Sequence, residues 1–231
     1  ATALRLAALG YDLVLTWSRS EAEARATAQA CEAAGAAVLL QHGDVADDAH
    51  CQAAVAAAVE RFGRLDVLVN NAGISGSVPD RMDLDYFDKQ WEINARGTFL
   101  GMKLARDLLA KSGRGSIVNM SSVLGLIAHE ITHMGYNASK GSVRLMTKAG
   151  AAQHGKQGIR ANVICPGLVL TEAVKQHLTD EYVERGLKAI PHTRLGQPED
   201  IAAAVTFLAS EDGAWVNGQV WHVNGGTLKR D

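Results

Sequence analysis

Short apolar runs rich in branched residues alternate along this chain with Ala-rich stretches whose apolar residues return every three or four positions. The first kind of run suits a buried strand and the second a helix with one apolar stripe, so the alternation predicts an α/β domain on a mostly parallel sheet. Strands are expected over Tyr11–Trp17, Ala36–Gln41, Leu65–Asn70, Gly115–Ser121, Ile159–Cys165 and Gly218–Val223. Helices are expected over Glu21–Ala34, Asp47–Phe62, Phe87–Lys111, Tyr136–His154 and Glu199–Ala209. Pro198 followed by Glu199 and Asp200 makes a helix start, because proline suits the first turn and carboxylates favour the positive end of the helix dipole. No repeat, low-complexity linker or charge run interrupts the pattern, which points to one domain over residues 1–231.

In a parallel α/β sheet, ligands bind beyond the carboxyl ends of the strands. Those ends read WSRS, GDV, NNAG, SSVLG and PGLVLT, a polar or glycine-bearing succession beyond what turn chemistry alone requires. Composition then removes partners. A formal charge of −2 over 231 residues leaves no basic excess for nucleic acid or an anionic membrane. No apolar stretch approaches the ~20 residues of a membrane span. Cys31, Cys51 and Cys165 form no C-x-x-C pair, which argues against a disulfide framework or thiolate zinc site and fits a reducing, cytoplasmic setting.

The strongest candidate chemistry lies in YNASK, which places Tyr136 and Lys140 four residues apart at the start of a helix, on one face. A phenol with its ordinary pKa of about 10 is a poor acid–base catalyst at neutral pH, but an adjacent cation and a helix N-terminus favour the phenolate. Tyr136 is thereby a candidate to give or take a proton at an oxygen.

Around this pair stand, in order, NNAG at Asn70–Gly73, NARG at Asn94–Gly97, NMSS at Asn119–Ser122, PGLVLT at Pro166–Thr171, and GQPEDIAAAVTFLAS followed by GQVWHVNGG. With these motifs the chain resembles the short-chain dehydrogenase/reductase family over essentially its whole length. The resemblance implies a Rossmann-like, doubly wound parallel sheet in three α/β/α layers, and hydride transfer between NAD(P)(H) and an alcohol or carbonyl carbon. It implies that Tyr136 is the acid–base, that Lys140 lowers its pKa and binds the nicotinamide ribose, and that Ser122 bonds the substrate oxygen. Asn94 would hold a water linking Lys140 to solvent. Reducing a carbonyl builds negative charge on oxygen, which a hydroxyl donor and a proton source stabilise. Ser122 stands 14 residues before Tyr136, one more than is common in the family, and Ser121 is the alternative donor.

For the cofactor, family members that prefer NAD usually carry an acid at the end of the strand that reaches Trp17 here, whereas an arginine accommodates the NADP phosphate. Trp17, Ser18 and Arg19 include no acid, which favours NADP over NAD with Ser18 and Arg19 as phosphate ligands. Asp44 and Val45 would flank the adenine, Asn71, Ala72 and Gly73 the adenosine ribose and nearby cofactor atoms, and Pro166, Gly167, Val169 and Thr171 the nicotinamide. The resemblance also implies a first strand and a Thr-Gly-x-x-x-Gly-x-Gly turn ahead of ATALRLAALG, which reads as the helix after that turn. Without the strand the sheet is expected to divide and leave two strand edges unpaired, so the sequence is read as an incomplete copy of a longer chain.

Two other classes compete. A non-catalytic relative of the same fold, serving as a binding or assembly subunit, is favoured by the absent phosphate turn and opposed by the intact Asn94, Ser122, Tyr136 and Lys140. A zinc hydrolase is suggested by HEITH, in which His129 and His133 would hold the metal and Glu130 would activate water. Such a motif needs both histidines on one helix face and a third ligand, whereas this one lies in a loop just before Gly135 and has no extension, so no metal is expected. The resemblance implies a homotetramer or homodimer built on the two long helices and the last strand. The segment from Glu172 to Arg194, where family substrate loops lie, carries mixed charge and no clear substrate signature.

Overall fold

The computed structural model describes residues 1–75, 78–130, 132–175 and 179–228. Among them the chain runs α1 (Thr2–Ala8), β1 (Leu13–Trp17), α2 (Glu21–Ala33), β2 (Val38–His42), α3 (Asp48–Phe62) and β3 (Val67–Asn70). It continues through α4 (Leu84–Gln90), a π-helical turn (Trp91–Arg96), α5 (Gly97–Ser112), β4 (Gly115–Met120), α6 (Met134–His154) and β5 (Ile159–Pro166). It ends with α7 (Glu172–Lys175), α8 (Asp180–Ala189), α9 (Pro198–Ala209) and β6 (Val220–Val223). Local chemistry sets several boundaries. The Asp47 carboxylate accepts the N–H groups of Ala49 and His50 at the start of α3, and Gly63, at φ 74°, ends it in the left-handed region where glycine carries no steric cost. Gln197 and Asp200 form a reciprocal capping box around Pro198 at the start of α9.

All pairings between the named strands are parallel: β1 with β2, and β3, β4, β5 and β6 in that order. Helices α1, α2 and α9 pack on one another or on strands from one face, and α3, α5 and α6 from the other, which makes three layers. The expected division of the sheet is present: among the described residues β1 and β3 are not paired to each other. An apolar cluster built on Leu6 and Ala7 of α1 and Leu13 of β1 packs against half-buried Leu15, Val67 and Val69 from both sheets.

Three expectations change. The single helix over Phe87–Lys111 begins earlier, at Leu84, where the Asp83 carboxylate accepts the Tyr86 N–H at 2.6 Å, and it is interrupted by the π-helical turn. Helices α7 and α8 occupy a segment for which no element was expected, and residues 176–178 of that segment lie outside the described residues. Strand ends shift by up to two residues; at Asp12 the side chain accepts the Ala37 N–H at 2.8 Å just before the β1–β2 ladder begins.

Strands β4 and β5 are buried almost throughout, and a polar chain crosses their core. Asn70 Nδ2 donates to Asn119 Oδ1 at 2.8 Å, Asn119 Nδ2 donates to Thr147 Oγ1 at 2.9 Å, and the Thr147 hydroxyl donates to the Val143 carbonyl at 2.7 Å. This chain ties β3 to β4 and β4 to α6. Asn119→Leu is expected to leave the Asn70 amide without its buried acceptor and to destabilise the fold by about 1–3 kcal/mol. A urea midpoint unchanged from wild type would remove the network from the forces that hold the sheet to α6.

Candidate active site

Ser122, Tyr136 and Lys140 meet at the carboxyl end of β4. The strand stops at Met120, and the two serines that follow point to different partners. The Ser121 hydroxyl donates to the Lys140 carbonyl at 2.7 Å, which turns it into the helix backbone. The Ser122 hydroxyl faces the Tyr136 phenol closely enough to lower its pKa, and it accepts the Leu124 N–H at 3.1 Å. Of the two donors considered from the sequence, Ser122 is the one at the phenol. Gly125 lets this turn lie against α6, because a Cβ there would stand 2.7 Å from the Lys140 carbonyl carbon.

Lys140 is buried, and its Nζ donates to the Met120 carbonyl at 2.9 Å. Burial lowers its pKa to about 8. Burial also pushes the Tyr136 phenol above its ordinary value, and the Ser122 hydrogen bond partly counters that rise. The expected lowering of the phenol by Lys140 is therefore not the dominant effect: desolvation favours the neutral form of both groups.

Asn94 sits in the π-helical turn, fully buried. Its Oδ1 accepts the Ile74 N–H at 2.8 Å, while its Nδ2 donates to the Ile74 carbonyl at 2.9 Å and to Ser139 Oγ at 3.1 Å. The side chain is thus a strut between α6 and the loop after NNAG, with both amide hydrogens engaged. Gly73 lies against the same groups: a Cβ there would be 3.0 Å from Asn94 Oδ1 and 3.1 Å from Lys140 Nζ. Arg96 was not anticipated. Its guanidinium donates to the Ala46 carbonyl at 2.7 Å and to Asp48 at 2.5 Å, which ties the turn holding Asn94 to the loop after β2. Its place in NARG was the available signal.

The remaining candidates line one edge. Ser18 and Arg19 are exposed beyond β1, next to Trp17, whose ring lies 4.5 Å from that of His42. The Asp44 carboxylate accepts the Ala46 N–H at 2.9 Å, and Val45 packs where a Cβ on Gly97 would come within 3.0 Å of it. Asn71, Ala72 and Gly73 present exposed backbone after β3. From Pro166 to Thr171 the chain leaves β5 under Asn224, which a Cβ on Gly167 would meet at 2.9 Å, and Val169 bridges Gly196.

The HEITH segment does not form one helix face. His129 and Glu130 are exposed in the loop, Ile131 lies outside the described residues, and His133 turns inward as the N-cap of α6. The one-residue-longer loop is pinned by Asn137, whose Nδ2 donates to the carbonyls of Leu124 and Ile127 at 2.5 and 3.2 Å. Among the described residues no group of three His, Cys, Asp or Glu side chains is placed to hold a metal, and no helix is long and apolar enough to cross a membrane.

A doubly wound parallel sheet with a Ser–Tyr–Lys cluster beyond a central strand defines a Rossmann-type oxidoreductase class. A family profile described as enoyl-(acyl carrier protein) reductase matches residues 1–227. Levodione reductase of Leifsonia aquatica is 38% identical, with 98% of this chain and 88% of that protein covered. The crystal structure of levodione reductase superposes with a TM-score of 0.91 at 36% identity, covering 97% of this chain and 91% of that one. L-rhamnose 1-dehydrogenase (NAD(P)(+)) of a Sphingomonas species is 36% identical over 98% of this chain and 90% of its own length. A short-chain dehydrogenase/reductase from Burkholderia xenovorans matches with a TM-score of 0.91 at 31% identity, covering 100% of this chain and 89% of that one. The chain belongs to the short-chain dehydrogenase/reductase family, whose members are oxidoreductases that use nicotinamide cofactors.

The depressed Lys140 value carries a pH dependence. Between about 8 and the unfolded lysine value of about 10.4, the unfolded chain holds the proton that the folded chain has released, so this group makes stability rise with pH. Below that window both states are protonated, and the cost of burying the cation is present in full. The unfolding free energy of wild type relative to Lys140→Met is expected to move in favour of wild type from pH 8 to about 10. A difference independent of pH would show that the amine is not depressed in the folded protein.

Proposed function

We propose that residues 1–231 form one cofactor-binding domain that transfers hydride between a nicotinamide cofactor and a secondary alcohol or its ketone, with Tyr136 as acid–base. The observation that carries this reading is the placing of the Tyr136 phenol beside the Ser122 hydroxyl, one helical turn from the buried Lys140 amine at a strand end. Ser122 would donate to the substrate oxygen, and Tyr136 would give that oxygen its proton as negative charge builds. The raised phenol value keeps that proton in place at neutral pH, which suits the reductive direction.

The donor set fits a nicotinamide nucleotide. Lys140 Nζ has three N–H groups and gives one to Met120, which leaves capacity for ribose hydroxyls beside the exposed backbone of Gly73. When bound, the cofactor supplies or accepts the hydride. Ser18 and Arg19 would hold the 2′-phosphate of NADP, Asp44 and Val45 the adenine, and Asn71, Ala72 and Gly73 the adenosine ribose and nearby cofactor atoms. Pro166, Gly167, Val169 and Thr171 would line the nicotinamide. Asn94, whose side chain holds the Ile74 backbone, would hold a water linking Lys140 to solvent.

We also infer a homotetramer or homodimer. Exposed Phe99 on α5 and Leu145 on α6 support contact through those helices, and sedimentation showing only monomer would end that reading. The unbridged Cys31, Cys51 and Cys165 support a cytoplasmic setting, which cell fractionation tests.

Tyr136→Phe is expected to abolish turnover across a panel of ketones and secondary alcohols while NADPH binding, read by fluorescence, stays intact. Retained turnover would refute the acid–base role, and no NADPH or NADH binding by wild type would favour a non-catalytic member. Arg19→Glu is expected to lower kcat/KM for NADPH at least about 10-fold, the equivalent of one lost charge-assisted hydrogen bond, with little loss for NADH. Equal losses with both cofactors would remove Arg19 from the phosphate site.

A further inference from the structure

One buried contact joins the two elements that carry the candidate site, and the proposed chemistry makes no use of it. His133 and Gln90 are both fully buried. His133 is the N-cap of α6: its Nδ1 accepts the Gly135 N–H at 3.1 Å and lies 3.0 Å from the Gln90 carboxamide. A ring nitrogen that accepts the Gly135 N–H can bond that carboxamide only through its NH2 group. Gln90 closes α4, and the six residues after it are the π-helical turn that holds Asn94. His133 stands three residues before Tyr136.

The surroundings are fitted to this contact. A Cβ on Gly135 would come within 2.8 Å of the Gln90 carboxamide, 3.0 Å of the Phe87 Cα and 3.1 Å of His133 Nδ1, so the start of α6 rests directly on α4. The Tyr86 ring meets the imidazole edge-on, with centroids 5.2 Å apart and planes at 87°. A serine, threonine, aspartate or asparagine is the usual N-cap, and an imidazole is a larger group to bury for the same hydrogen bond. His133 Nε2 is moreover buried without a protein partner among the described residues. A contact that served packing alone would avoid that cost with apolar side chains.

We propose that His133 and Gln90 are positioning residues, which set the start of α6 against the π-helical turn and so fix where the Tyr136 phenol meets Ser122. The proposal rests on the acid–base reading of Tyr136, and its test has one readout that does not.

The first readout is steady-state kinetics of His133→Ala, Gln90→Leu and His133→Asn with the ketone that wild type reduces best. His133→Ala is expected to lower kcat about 10- to 100-fold, as a displaced reacting group does. KM for NADPH should stay within about twofold, because binding is untouched. His133→Asn should recover most of the rate, since its carboxamide oxygen can accept the Gly135 N–H. The second readout needs no turnover: the Tyr136 titration, taken as the difference in tyrosinate absorbance between each protein and the same protein carrying Tyr136→Phe. His133→Ala should move that midpoint, and His133→Asn should return it toward wild type. An unchanged midpoint in His133→Ala overturns the proposal even if no substrate is found. An unchanged kcat, or no recovery in His133→Asn, overturns it as well. If His133→Ala does not fold, Gln90→Met, which keeps the side-chain length and removes the polar contact, is read by the same midpoint and kcat criteria. Turnover retained by Tyr136→Phe would instead overturn the acid–base reading, and the midpoint would still decide positioning.

Discussion

A buried amine sets the terms on which the site is built. Lys140 is 5% exposed, and an ammonium at that depth is expensive unless its donors find acceptors. The acceptor is the carbonyl of Met120, at the end of a fully buried strand, so α6 must cross β4 at one height and in one rotation. The Ser121 hydroxyl reaches back to the carbonyl of the same lysine, and Gly125 allows the following turn to close over it. Within one residue of α6, a side chain and a backbone carbonyl are both satisfied by the end of β4. Tyr136, one turn earlier on the same face, inherits its position from that double contact.

A second point of attachment keeps the helix from pivoting about the first. Thr147 is nearly two turns beyond Lys140, and it takes the Asn119 amide that also links β4 to Asn70 of β3. The π-helical turn completes the frame. Such a turn adds a residue to a helical repeat and re-aims the side chains within it, a distortion common at functional sites. Here it places the Asn94 amide against both backbone groups of Ile74, in the manner of one step of strand pairing, and so closes the loop after NNAG onto Ser139 of α6. Arg96, two residues on, makes the corresponding tie to the loop after β2. The loops beyond β2, β3 and β4 are thereby referred to the same helix.

What the sequence alone disclosed follows the range of the interactions involved. Strands β4 and β5 were legible because each carries a short β-branched apolar core, Ile117–Val118 and Val163–Ile164; the Tyr136–Lys140 pair was legible because i,i+4 is a local relation. The π-helical turn was hidden, since the apolar period of Phe87 to Lys111 continues through it and its cause is a loop about 20 residues upstream, at Ile74. Helix α8 was missed because an apolar run was sought, whereas an amphipathic helix is marked by spacing, here Val183 and Leu187 four residues apart among charged neighbours. HEITH shows the opposite failure, a local pattern without local meaning: the partner that fixes His133 is Gln90, 43 residues earlier. The net rise of the Tyr136 value was also not legible from spacing, because spacing reports proximity and says nothing of the water that burial removes.

The opposed shifts show how the two groups depend on each other. Burial alone drives the phenol up and the amine down, so that the pair becomes neutral only above about pH 8. A cation beside Tyr136 favours its phenolate only to the extent that the amine is charged, and Met120 provides Nζ with a single acceptor. Each further acceptor delivered to Nζ favours the ammonium, and the ammonium in turn favours loss of the phenol proton. Hydroxyl groups of a ligand seated beside Gly73 are of that kind. Under the proposed acid–base role, the same desolvation would couple proton transfer at Tyr136 to what occupies the space over Lys140, because a charge is stabilised there only when its partners are present.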